Sequence, residues 1–111
     1  MFRQGQKPAL VVPMLDIERF RMALRRAGYY PHTGHRYQRE CELQAWTAPL
    51  RGGRHIHVQE VQRPTHIDVY AHTEAAHGLL HAFSALTDGA NYAAGSRKLR
   101  GDLRIHGWDV R

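Results

Sequence analysis

The chain has 111 residues, enough for one domain spanning 1–111 around a single core and too few for two. Hydrophobic residues make up 42%, which argues against disorder, and no apolar run approaches the ~20 residues of a membrane span. The formal net charge of +6 comes almost wholly from arginine, since Lys7 and Lys98 are the only lysines.

Arginine matches phosphates bidentately and stacks on bases, so the first expectation for a partner is nucleic acid. A GC-rich codon bias towards Arg and His would produce the same composition. The opening Met1 to Lys7 precedes an apolar stretch too short for a secretory signal. The lone Cys41 excludes an internal disulfide and fits a reducing interior, so a cytoplasmic address is expected.

In chain order, Ala9 to Val12 between Pro8 and Pro13 reads as a short strand. Asp16 then reads as a helix N-cap, with Ile17, Phe20, Leu24 and Ala27 at helical spacing and Gly28 as the stop. Arg19, Arg21, Arg25 and Arg26 fall off that apolar stripe. Tyr29 to His35 reads as a connection punctuated by Pro31 and Gly34. Tyr37 to Trp46 reads as a strand with Cys41, Leu43 and Ala45 on one face and Glu40, Glu42, Gln44 and Trp46 on the other. Ala48 to Gly53 is the next loop.

The strongest pattern follows. Arg54 to Val61 and His66 to His72 are two alternating strands around a turn at Arg63-Pro64-Thr65. Ile56, Val58, Ile67, Val69 and Ala71 share one face; His55, His57, Gln59, His66, Asp68, Tyr70 and His72 share the other. A turn at Arg63-Pro64 sets His55 opposite His72, whereas a turn beginning at Pro64 sets His57 opposite His72. A one-residue slip would bury the histidines, so the face assignment is firm and the pairing open.

Thr73 reads as the cap of a second helix, with Ala76, Leu79, Leu80, Phe83 and Leu86 as its buried stripe and Gly89 as its stop. His77, His81, Ser84 and Asp88 line the other side, read as a solvated face. Asn91 to Gly95 reads as a loop. Ser96 then caps a short basic helix carrying Arg97, Lys98 and Arg100, whose free amides could hold a phosphate. Arg104 to Val110 reads as a last strand. The expected fold is α+β: a single mostly antiparallel sheet of four or five strands with two or three helices on one face, in the order β-α-β-β-β-α-α-β.

His55-Ile56-His57 resembles the motif of HUH single-strand endonucleases, two histidines around a bulky apolar residue. The resemblance implies a divalent metal held by His55 and His57, with His72, Asp68 or Glu42 as third ligand, and a tyrosine nucleophile, for which Tyr92 after the helix and Tyr70 on the neighbouring strand are available, neither in the family's helical tyrosine pattern. The order helix, three strands, helix from Asp16 to Asp88 is similar to the core of double-stranded-RNA-binding domains and of the HicA-type mRNA-interferase toxins. Arg26-Ala27-Gly28-Tyr29-Tyr30 and Gly34-His35-Arg36-Tyr37 carry that likeness, which implies His35 as a general acid or base on RNA. The serine that the toxins place before that histidine is absent, as are the lysines that RNA-binding domains place at the second helix.

The functional expectation is a nucleic-acid-binding or nucleic-acid-processing protein working through an open His-rich sheet face. Its contacts would come from Arg51, Arg54, His55, His57, Tyr70, His72, Arg97, Lys98 and Arg100, with Trp46 as a further aromatic. His35, His57 and Tyr92 are the catalytic candidates, and His55, His57 and His72 the metal candidates. No cofactor beyond a divalent metal is expected. Alternatives are a homo-oligomeric interaction protein and a metal-dependent phosphodiesterase.

Overall fold

The computed structural model describes residues 7–35, 41–75 and 88–110. The hairpin that alternation predicts lies at the middle of its sheet. Strands β4 (Arg54–Gln62) and β5 (His66–Ala75) pair antiparallel. Pro64 and Thr65 form the tip, and Arg63 N–H donates to the His66 carbonyl at 2.8 Å. Proline at the first central turn position suits its fixed φ, and this turn sets His57 opposite His72.

Strand β3 (Glu42–Pro49) pairs with β4, and the two-residue β2 (Tyr30–Pro31) flanks β3. β1 (Leu10–Pro13) pairs with β5, giving the antiparallel order β1-β5-β4-β3-β2. Helix α1 (Ile17–Arg26) connects β1 to β2, and helix α2 (Asp88–Ile105) follows β5. The architecture is α+β.

The apolar sheet face forms the core. Ile56, Val58, Ile67, Val69 and Ala71 pack with Phe20, Ala23 and Leu24 of α1 and with Leu99 and Leu103 of α2. Leu10 and Val12 point inwards from β1 and Val11 outwards, so β1 is an edge strand buried on one side. The Asp16 side chain makes no cap bond; it pairs with Arg19 at 3.4 Å, while Gly28 ends the helix region at φ +92°.

β1 pairs with β5 only from His66 to Val69. Beyond that point α2 lies against the edge of β5. A Cβ on Gly95 would sit 2.6 Å from both N and Cα of His72, so the helix approaches the strand backbone as only glycine permits. Gly95, which reads as a loop residue in the sequence, is a packing residue inside a helix.

Several elements differ from expectation for related reasons. Thr73 is no cap: Thr73, Glu74 and Ala75 pair with Ile56, His55 and Arg54 and extend β5. Asn91 to Gly95 and Ser96 are internal to α2, so Ser96 offers no free helix-start amides. Arg104 and Ile105 end that helix, and Trp108 to Val110 form no strand. Trp108 instead packs edge-on to Phe20, ring centroids 5.4 Å apart. Tyr30–Pro31, read as connection, is a strand. Ala76, His77, Leu79, Leu80, His81, Phe83, Ser84 and Leu86, with Tyr37 and Glu40, lie outside the described residues. Among those described, no helix is long and apolar enough to cross a membrane.

Alternation along β3 also breaks. Glu42 lies opposite Val61 and Ala45 opposite Gln59, so the register shifts between them at a β-bulge. One extra residue reverses parity, and Trp46 turns to the core face, wholly buried. Its indole N–H donates to Glu60 Oε2 at 2.8 Å. Cys41 moves the other way, half-buried against Val61, Tyr70 and Tyr92.

Candidate functional site

The polar face of the β4–β5 hairpin is a covered histidine cluster, not an open surface. His57 and His72 stand opposite each other, ring centroids 5.1 Å apart. The turn after β2 brings His32 and His35 over His57, at 4.8 and 4.9 Å between ring centroids. From α2, the Tyr92 ring lies 5.0 Å from that of His72. A row of rings thus runs from the 32–35 turn across two strands to the helix. His57, Gln59 and Tyr70 are buried beneath it.

Glu74 is the hub that the sequence reading missed, because Thr73 to Ala75 looked like a helix start. Its Oε1 lies 2.6 Å from His55 Nε2 and 3.8 Å from His57 Nδ1, and its Oε2 lies 3.0 Å from His72 Nε2. One donor atom each from His57, His72 and Glu74 falls within 4.8 Å of the others. His55 stands outside this trio as a partner of the carboxylate. The predicted trio of His55, His57 and His72 is therefore replaced by His57, His72 and Glu74 as the geometric cluster. Nε2 of His57 and Nδ1 of His72 are buried without a hydrogen-bond partner among the described residues. Buried polar atoms rarely stay unpaired, so the cluster is short of partners.

Electrostatics keep the site's protons off. Burial pushes the His57 imidazole down to about 3, helped by His72, opposed by Glu74, and helped again by His35 and His32. Burial works against ionisation of Glu74, but hydrogen bonds and charge from His72, then the His55 hydrogen bond and the charge of His57, hold its carboxyl at about 2. The result is an ionised carboxylate facing a neutral imidazole.

The other candidates scatter. His35 sits in the turn after β2, not on a strand, with Nε2 3.5 Å from Glu42 Oε2. Tyr92 lies on α2 and is buried. Trp46 is on the opposite face of the sheet, and buried Tyr70 offers no stacking platform. Arg54 is held by Thr73 Oγ1 at 3.1 Å and Asn91 Oδ1 at 3.4 Å, while Arg100 donates to the Ala9 carbonyl at 2.9 Å. Asp68 pairs with Arg63 at 2.9 Å and with His66 at 3.2 Å, away from the cluster. Arg51, Arg97 and Lys98 are exposed.

The charged surface is lopsided. Among the residues whose burial is described, Lys7, Arg19, Arg25, Arg26, Arg51, Arg97, Lys98 and Arg104 are exposed, as are two carboxylates, Glu18 and Asp109. Glu42 and Glu60 are buried, and Asp16, Asp68, Glu74 and Asp102 are half-buried. Arg26, Arg51, Arg97 and Arg104 make no ion pair among the described residues.

No protein-family model matches the chain, and comparison with curated proteins and with solved structures finds no match.

Proposed function

We propose that the protein binds nucleic acid through its arginine-rich outer surface rather than through the histidine face. The observation that supports this reading is the inward withdrawal of the carboxylates. With Glu42 and Glu60 buried and four more acids half-buried, the exposed side chains whose burial is described carry eight cations, Lys7, Arg19, Arg25, Arg26, Arg51, Arg97, Lys98 and Arg104, against the two carboxylates of Glu18 and Asp109. Arg26 at the end of α1, Arg51 in the β3–β4 turn and Arg97 and Arg104 on α2 make no ion pair among the described residues. Guanidinium groups of this kind match phosphate bidentately. With Trp46 and Tyr70 buried, Tyr30 is the exposed aromatic among the described residues, so the expected recognition is mainly of the backbone, with weak sequence preference.

The test is binding of fluorescent single-stranded RNA, single-stranded DNA and duplex DNA across a salt series. Phosphate contacts predict a log-log slope of about −0.7 to −0.9 per contact. An affinity indifferent to salt would overturn the reading. Incubating the same oligonucleotides with zinc or manganese separates binding from processing.

A further inference from the structure

We propose that His57, His72 and Glu74 form a binding site for one divalent transition metal of the zinc class. The site rests on the pairing of two adjacent strands in the interior of the sheet. Because β4 and β5 pair His57 with His72, both imidazoles leave the same face side by side. Glu74 lies two residues beyond His72, so strand alternation returns its carboxylate to that face.

The distances suit an ion. Two donors bound tetrahedrally at ~2.1 Å lie roughly 3.4 Å apart. The spacings already present, 3.0 Å from Glu74 Oε2 to His72 Nε2 and 3.8 Å from the other oxygen, Oε1, to His57 Nδ1, lie on either side of that value. One donor atom from each of the three residues lies within 4.8 Å of the others. Two imidazoles with one carboxylate suit zinc and its neighbours better than magnesium or calcium, which prefer oxygen shells.

The surroundings support a site more than a simple hydrogen-bonded cluster. His55 holds Oε1 of Glu74 at 2.6 Å, the kind of outer partner that fixes a ligating carboxylate. The side chains of His57, His72 and Glu74 keep 11%, 14% and 21% of their surface exposed.

The experiment uses the full chain, stripped with chelator and titrated with zinc by calorimetry. Visible absorption of the cobalt-loaded protein gives the geometry. One equivalent is expected, with a four-coordinate cobalt spectrum. Glu74→Gln keeps the volume and one acceptor oxygen but removes the charge, and should weaken binding by at least about 10-fold. His72→Ala should do the same or worse, and His55→Ala should cost about 10-fold as the loss of an outer partner. His66→Ala, a surface histidine held by Asp68, should bind like the parent. Should the alanine variants fail to fold, Glu74→Gln decides, read alongside zinc-induced thermal stabilisation that the parent shows and the variant lacks. The proposal is overturned by no binding, by equal binding in Glu74→Gln, or by His66→Ala weakening zinc as much as His72→Ala. Nucleic-acid affinity of Glu74→Gln should match the parent, so the metal site and the basic surface stand or fall separately.

Discussion

Trp46 and Glu60 meet beneath α1, the indole N–H donating to the carboxylate at 2.8 Å with both side chains buried. The same carboxylate accepts two bonds from Arg21, at 2.6 and 3.2 Å, and one from the backbone N–H of Gln44 at 3.4 Å. Gln44 lies in the β3 bulge, so Glu60 satisfies the irregular backbone whose parity change brings Trp46 to it. Bulge, tryptophan and buried charge support one another.

Removing that carboxylate strands the rest. Glu60→Ala is expected to cost about 3–5 kcal/mol of stability, since Trp46 loses its acceptor and Arg21 keeps only the exposed Glu18 as partner. Glu60→Gln, which can still accept from Trp46, should cost less. Urea midpoints of the two variants against the parent check the order, and equal midpoints for Glu60→Ala and the parent would contradict it.

Gly95→Ala is expected to destabilise by about 1–3 kcal/mol, because its methyl would meet the His72 backbone at 2.6 Å. Gly101→Ala, on the same helix with nothing within 4 Å of its Cβ position, should stabilise by a few tenths to 1 kcal/mol. Thermal melts of the pair read the contrast directly. A shared sign would mean α2 does not press on β5.

Acid should unfold the metal-free protein early. His57 titrates near 3 when folded and near 6.5 in an ordinary chain, so between those values the unfolded state takes up a proton that the folded state refuses. Stability therefore falls as pH drops below about 6.5, by on the order of 3 kcal/mol at pH 4. Glu74, depressed to about 2, adds stability that is complete above 4.5 and lost as pH falls towards 2. Both act in the same direction. Urea midpoints from pH 7 to 4 should decline steeply in the parent and less in His57→Gln; a flat parent profile would refute the assignment.

Replacing single exposed arginines tests the basic surface. Arg51→Ala or Arg97→Ala should weaken oligonucleotide binding for all sequences alike and reduce the salt slope by about 1 where the residue touches phosphate. His57→Gln should leave both unchanged. A loss confined to the histidine variant would return recognition to the sheet face.

The α+β class, the hairpin and the shared face of His57 and His72 follow from alternation, because burial of Ile56, Val58, Ile67 and Val69 on one side forces their neighbours to the other. The turn chemistry at Pro64 narrowed the pairing without choosing it. Trp46 departs from its predicted face because a bulge is a one-residue event, stabilised by Glu60 from a different strand, and no local pattern marks it. Gly95 and Ser96 carry the local signals of a loop and a cap; only the close approach of α2 to β5 explains a glycine inside that helix. Glu74 was hidden likewise, since Thr73 to Ala75 reads as a helix start until β4 supplies partners for it.

The amino-acid order alone thus determined which residues alternate, which histidines travel together and how basic the chain is, for these depend on periodicity and composition. Tertiary structure decided what covers the histidine face, which carboxylate joins it and which charges remain outside. Those depend on contacts between residues far apart in the chain, and local propensity carries no record of them.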